Sequence, residues 1–321
     1  SLKRFTEEDE ALLATLRPDL VIGDFRITLS ISARRQRLPY ATITNAYWSP
    51  AFAPRFVVPN LPMVKFLGVR LSQRLFDLVR PLAFAYHALP MNALRRHYGM
   101  PSLGPDLRRI YTDADLALFS DLPEVYGMAD DLTHSGTFLG PINWSPDIPL
   151  PDWWNELDES RPIVYITLGS SGANELLFPL LDGLRQLNAQ LVVSSAGGPL
   201  PTLEGQIFCA DYLPGDAATA RADLVVCNGG SPTSYQALTR GVPVLGIPGN
   251  LDQYLNMHFL EKAGVGLSLR GQNLKPMKVA AAAGKLLSDV GYRSAARQLA
   301  KRAVDYDCRA RLNAALEALL A

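Results

Sequence analysis

Apolar and polar positions change period in a regular order through the first fifty residues. Ala11–Leu16 has helical spacing and stops at Arg17-Pro18, because a residue before proline is pushed out of the helical region. Asp19–Phe25 (DLVIGDF) is a short apolar run rich in strand formers, Thr28–Arg37 is amphipathic, and Tyr40–Thr44 is a second strand-like run. This order predicts a strand–helix–strand unit of parallel-sheet type. From Asn45 to about Leu71 the chain is irregular and rich in proline and aromatic residues, and mostly helical segments follow to about Tyr98. Asp115–Phe119 and Phe138-Leu139-Gly140 read as two more strands. Residues 141–162 are proline-rich and lack any period, which marks a linker.

Beyond the linker the alternation becomes tighter. Strands are predicted at Ile163–Leu168, Gln190–Ser194, Ile207–Ala210, Leu224–Cys227, Val244–Ile247 and Val265–Leu269, with helices at Glu175–Leu187, Ala217–Ala222, Thr233–Arg240 and Gln253–Ala263. Short apolar strands bounded by Gly and Pro, separated by helices, belong to a doubly wound parallel sheet covered on both faces. The tail from about Lys278 is helical and rich in Ala and Arg. The expected organisation is an α/β chain with domains at 1–150 and 151–300, and a C-terminal helix, 301–321, that could return to the first domain.

Composition narrows this picture only slightly. With 321 residues, 48% hydrophobic and 19% charged, the chain can bury two cores. Its 31 bases balance 31 acids, so no bulk charge favours nucleic acid or an anionic membrane as a general partner. Cys209, Cys227 and Cys308 are too few and scattered for a disulfide framework or zinc site, and a reducing, cytoplasmic location is expected. No apolar run reaches the roughly 20 residues of a membrane span. The first residue is Ser1, and the opening Ser1–Glu10 is polar with no apolar signal core. The chain is expected to begin in mid-domain.

In open parallel sheets ligands bind at the carboxyl ends of strands, near helix N-termini, and four such ends carry suggestive residues. Leu168-Gly169-Ser170-Ser171-Gly172 is either a tight turn or an anion-contacting loop. In Asn228-Gly229-Gly230-Ser231, followed by Pro232 and Thr233, the glycines permit unusual backbone angles and Ser231 stands where an N-cap belongs. The orphan amides of the following helix, with the hydroxyls of Ser231 and Thr233, could cradle a diphosphate; a capped helix is the bland alternative. Asp252-Gln253 opens another helix, as dipole complement or as a reader of sugar hydroxyls. Tyr212-Leu213-Pro214 is a loop whose backbone could meet a base edge.

As a set, in this order and spacing, these segments resemble the donor-binding half of the two-Rossmann (GT-B) glycosyltransferases of the UDP-glycosyltransferase superfamily. The resemblance is strong over about Pro162–Leu269 and looser elsewhere. It implies that Gly169, Ser170 and Ser171 lie at the donor, that Tyr212 and Leu213 touch the base, that Asn228, Gly229, Gly230, Ser231 and Thr233 grip the diphosphate, and that Asp252 and Gln253 read the sugar. Asn228 stands where the family has histidine, and an amide can still donate to phosphate. The resemblance also implies two doubly wound domains, the N-terminal one incomplete, with the family's base histidine expected before Ser1. None of His87, His97, His134 and His258 is assigned that role, while Asp24, closing its strand, matches the carboxylate that orients the base. Trp48 and Phe52 are expected to wall the acceptor pocket.

The implied reaction is inverting transfer from a UDP or dTDP sugar to a hydroxyl of a small lipophilic acceptor, with no cofactor and no metal. The expected partners are the nucleotide-sugar donor, the acceptor and the chain's own missing N-terminal segment, with no nucleic acid and no integral membrane segment. The alternative is a non-catalytic nucleotide-sugar-binding subunit completed by a second polypeptide. A dinucleotide-dependent oxidoreductase is disfavoured, since Gly169–Gly172 lacks the G-x-G-x-x-G spacing, and an epimerase would want carboxylates around the donor.

Overall fold

A computed structural model describes all residues except Ala53 and residues 129–135, 170–173 and 199–206. Two parallel sheets organise the chain. The first has four strands in the order β1 (Val21–Asp24), β2 (Tyr40–Thr44), β3 (Leu116–Phe119) and β4 (Thr137–Phe138). The second contains β5 (Ile163–Thr167), β6 (Gln190–Ser194), β7 (Ile207–Ala210), β8 (Leu224–Cys227), β9 (Val244–Gly246) and β10 (Gly266–Ser268). Its spatial order is β10-β9-β8-β5-β6-β7, so the chain starts in the middle, builds outward one way, then returns to the other side of β5. Strands β5, β6 and β8 are buried along their whole length, as strands covered on both faces must be.

The helices are α1 (Leu2–Leu16), α2 (Leu29–Arg35), α3 (Met63–His97), α4 (Arg108–Tyr111), α5 (Leu177–Leu184), α6 (Gly215–Arg221), α7 (Ser231–Thr239), α8 (Leu251–Lys262), α9 (Pro276–Ser288), α10 (Val290–Ala303) and α11 (Cys308–Leu320). Three differ from the pattern-based expectation. Helix α1 begins at Leu2 rather than Ala11, so the polar opening is structured. Its buried positions are Thr6, Asp9 and Leu13, and Asp9 accepts from Arg26 Nη2 at 2.8 Å and Thr28 Oγ1 at 2.6 Å. Two buried polar residues hid the helical period. Helix α3 is two helical segments run together, broken at Gly68, whose φ 70° and ψ 167° are not helical. Helix α7 begins at Ser231, two positions before the predicted Thr233, with Gly230 rather than Ser231 as its N-cap, so the Ser231 hydroxyl is not used in capping.

The two halves share a core. Phe52 packs edge-on against Phe119 and Phe138 of the first sheet, and Tyr126 stacks on Phe259 of α8 with ring centroids 4.4 Å apart. The segment after β4 runs along the second half, where Trp153 Nε1 donates to the Cys209 carbonyl at 3.1 Å. Helix α11 lies back on the first sheet: Leu312, Leu316 and Leu319 cover Ala41, Leu118 and Leu139, and Arg311 Nε donates to the Phe138 carbonyl at 2.6 Å.

Candidate active site

Strand order fixes where a site can form. The chain leaves β5 toward β6 and leaves β8 the opposite way toward β9, so the carboxyl ends of the neighbouring β5 and β8 flank a crevice at the switch point. Gly169 ends β5 with φ 64°, and a Cβ there would sit 3.4 Å from Nδ2 of Asn228, which follows β8. The sequence segments around Gly169 and Asn228 are therefore neighbours across the crevice. Ser170 and Ser171 lie outside the described residues.

The turn after β8 is built by glycine chemistry. Gly229 takes φ 77°, a conformation that side chains resist. A Cβ there would meet Met257 Cγ at 2.6 Å, so α8 presses directly on the turn. Asn256 Nδ2 donates to the Gly229 carbonyl at 2.8 Å, and the Gly230 amide donates to Asn228 Oδ1 at 2.9 Å. The turn delivers the N-terminus of α7, where partial positive charge and unpaired amides converge. Thr233 lies half-buried in its first turn. Cys227 is no nucleophile: burial pushes its thiol up to about 11.

Helix α8 starts with a capping box: Asn250 Oδ1 accepts from the Gln253 amide at 3.0 Å, and Gln253 Oε1 accepts from the Gly249 amide at 2.8 Å and the Asn250 amide at 3.4 Å. The buried Gln253 side chain thus turns onto its own helix start. Asp252 points the other way. Its Oδ1 accepts from Tyr47 Oη at 3.1 Å and Trp48 Nε1 at 2.8 Å, both from the loop after β2. Burial raises its carboxyl above the ordinary value, and these two donors pull it back part of the way.

That loop, Asn45–Trp48, is the junction between the halves. Asn45 Nδ2 lies 3.0 Å from Ser231 Oγ, 3.1 Å from Asp121 Oδ1 and 3.2 Å from Ser120 Oγ. Asp121 is fully buried and accepts from the Ala46 amide at 2.6 Å. Burial pushes its carboxyl up to about 6, against the opposing pull of Ala46, Asn45, Tyr235 and Tyr126. Sequence reasoning missed Asn45, which follows directly on β2, and Asp121, two residues after β3, although a position at a strand's carboxyl end was the signal that singled out Asp24.

Asp24 closes β1 opposite Ile43. The next residue, Phe25, holds φ 51° and stacks on Tyr111, whose ring lies 5.0 Å from Trp48. Asp24 and Ser231 line one cavity of about 210 Å³ with Asn45, Ser120, Ile142 and Tyr235. Larger cavities of about 660 and 580 Å³ open elsewhere, and neither is lined by Asp24 or Ser231. The small one is small for a ligand site, and Asn45 of the Asn45–Trp48 loop forms part of its wall. Trp48 is buried against Asp252, and Phe52 lies in the aromatic core between β3 and Tyr126. Tyr212 stands after β7, two strands from β5, with its hydroxyl close over Gly197, while Leu213 is buried. His87, His97 and His258 do not line the Asp24 cavity, and His134 lies outside the described residues. Among the described residues no cluster of His, Cys, Asp and Glu could hold a metal ion, and no helix is long and apolar enough to cross a membrane.

Known proteins resemble this chain in sequence and in fold. Residues 179–319 match the family described as "Erythromycin biosynthesis protein CIII-like, C-terminal domain". The chain is 47% identical over 302 residues to a "PGL/p-HBAD biosynthesis glycosyltransferase" of Mycobacterium tuberculosis (strain ATCC 25177 / H37Ra), covering 94% of this chain and 70% of that protein. It is 47% identical over 301 residues to a "PGL/p-HBAD biosynthesis rhamnosyltransferase" of Mycobacterium bovis (strain BCG / Pasteur 1173P2), covering 94% and 67%. Among solved structures, the glycosyltransferase VinC in complex with dTDP superposes with a TM-score of 0.67 at 20% identity, over 98% of this chain and 75% of that one. The chain belongs to the GT-B glycosyltransferases of the UDP-glycosyltransferase superfamily and is itself a glycosyltransferase.

Proposed function

We propose that this chain moves a hexose from a UDP or dTDP sugar to a hydroxyl of a small lipophilic acceptor, with inversion and without a metal. The observation that carries this reading is one cavity holding Asp24 from the first sheet and Ser231 from the start of α7. In this reading the nucleophile side and the leaving-group side face each other across the junction between the two sheets.

In the proposed reaction the acceptor oxygen attacks the anomeric carbon, the bond to the diphosphate breaks, and the nucleoside diphosphate leaves with the electron pair. The amides at the start of α7, with Ser231, Thr233 and Asn228, meet the charge that develops on the diphosphate. These donors do the work a metal would do elsewhere. Asp252 reads sugar hydroxyls, held in place by Tyr47 and Trp48, and Gln253 secures the helix start that aims it. Tyr212 and Leu213 take the base edge. Asp24 orients the base that accepts the acceptor's proton and steadies its positive charge; no histidine of residues 1–321 is assigned as that base. A lipophilic acceptor suits the Ile43 and Ile142 walls of the cavity and the exposed Phe25 beside Asp24. The rhamnosyltransferase relative and the dTDP bound to VinC support a deoxyhexose on a pyrimidine nucleotide. A cytoplasmic site of action, where such donors are made, fits this reading.

The test is a mass-spectrometric transfer assay on the intact protein with UDP- and dTDP-hexoses and lipophilic alcohols. The expected result is a single hexose adduct of inverted configuration, formed about a hundredfold more slowly by Asp24→Asn. A retained configuration, or transfer indifferent to Asp24→Asn, would overturn the assignment.

A further inference from the structure

Helix α3 carries a second apolar stripe that faces away from the protein. Its inner face buries Ser72, Phe84, Ala88 and Met91. On the opposite face Leu71, Leu75, Leu78, Leu82 and Leu89 are exposed, Leu78 at 75% and Leu82 at 71%. At 100° per residue these five fall within roughly 40° of one line, a stripe about 27 Å long. Phe66, just before the kink at Gly68, adds an exposed ring at 84%. Isolated exposed leucines need no explanation, but a contiguous row this long marks an interaction surface.

Charge identifies the kind of partner. Roughly 60–100° round the helix from Leu71, between the stripe and the inner face, Arg74 and Arg70, one turn apart, join Arg55 and Arg270 around a cavity of about 580 Å³. Its two acids are already engaged: Asp77 accepts from Gln73 Nε2 at 2.8 Å, and Glu261 from Ser268 Oγ at 2.7 Å. A second copy of the chain fits poorly. Asp77 is the single acid of Met63–His97, so pairing two such helices in either direction brings arginines toward cations or neutral residues. A stripe of leucines beside a row of arginines is instead the pattern of a helix lying in a bilayer interface.

We propose that this face of α3 docks flat on an anionic lipid surface, with the leucine row in the acyl boundary and Arg70, Arg74 and Arg55 on headgroup phosphates. The loop between the crevice and the docked helix is short and pinned: Val58 N donates to Gln73 Oε1 at 2.8 Å, and Arg270 Nη1 to the Val58 carbonyl at 2.8 Å. Docking therefore sets the crevice beside the bilayer, where a lipophilic acceptor would reside. That consequence rests on the proposed acceptor class; the docking itself does not, and it is measured without donor.

The experiment is flotation with phosphatidylcholine vesicles, with and without about one-third phosphatidylglycerol, alongside size-exclusion chromatography. The wild-type protein is expected to float with the anionic vesicles only, and to be released by high salt. Leu78→Ser/Leu82→Ser and, separately, Arg70→Glu/Arg74→Glu should each weaken partitioning at least about tenfold while leaving the melting temperature unchanged. If either pair lowers melting, the single changes Leu78→Ser and Arg74→Gln, at exposed positions, take its place with smaller losses expected. Equal binding to neutral vesicles, no binding to either, or loss of phosphatidylglycerol binding to free inorganic phosphate alone would overturn the proposal. So would a concentration-dependent dimer abolished by Leu78→Ser, which would assign the stripe to a second copy.

Discussion

Asp121 shows how a single buried carboxylate can hold two halves of a molecule in register. It grips the Ala46 amide and Asn45, and Asn45 reaches on to Ser231. Its folded-state value of about 6 lies above the ordinary 3.8. Between those values the folded state binds more protons than the unfolded chain, so stability falls as pH rises through this window. Asp121→Asn removes the titration. Comparing denaturation of the two proteins, the wild type should lose roughly 1–3 kcal/mol relative to the variant from below pH 3.8 to above about 6. A constant difference across that range would show that Asp121 titrates normally. The residue was not legible in the sequence, where Ser120-Asp121 after a strand looks like any solvated loop acid; only Ala46 and Tyr235, distant in sequence, converging on it with the nearby Tyr126, make it special. The glycine turn at Gly229-Gly230 was legible, because a glycine requirement is a local property, whereas the Ser231 hydroxyl does not take the N-cap place its sequence position suggests.

At the scale of elements, the turn from β8 into α7 is the part most dependent on one residue. Gly229 combines a left-handed φ of 77° with a Met257 Cγ that would stand 2.6 Å from any Cβ. Gly229→Ala should destabilise by about 2–4 kcal/mol, from backbone strain and overpacking together, readable as a lowered urea midpoint. A loss under about 0.5 kcal/mol would mean that the turn relaxes freely and does not set the position of α7. The strands of the second half were readable in the sequence because burial on both faces gives unbroken apolar runs, as in Leu224–Cys227. Helix α1 was not, since its inward positions include Thr6 and Asp9, satisfied by Arg26 and Thr28 rather than by apolar packing. The N-cap of α7 shifted by one residue because Gly230, not Ser231, occupies the extended N-cap position.

The whole molecule adds what neither residues nor elements contain. Tyr47 and Trp48 meet Asp252 across more than two hundred residues of chain, and Tyr126 meets Phe259. No period or motif encodes such pairings, so the crevice itself appears only in three dimensions. Its consequence is a candidate site shared between two sheets, closed by a loop that touches Ser231 and Asp252 at once. The central claim is that the start of α7, at the carboxyl end of β8, binds the diphosphate of a nucleotide sugar. The most direct measurement is thermal melting with UDP, dTDP and GDP and their hexoses, on wild type and Ser231→Ala. At a ligand concentration of about 100 Kd a pyrimidine nucleotide should stabilise the wild type by roughly 2.7 kcal/mol, and Ser231→Ala should need several-fold more ligand for the same shift. Melting unmoved by every nucleotide, or shifted equally in Ser231→Ala, would contradict the account.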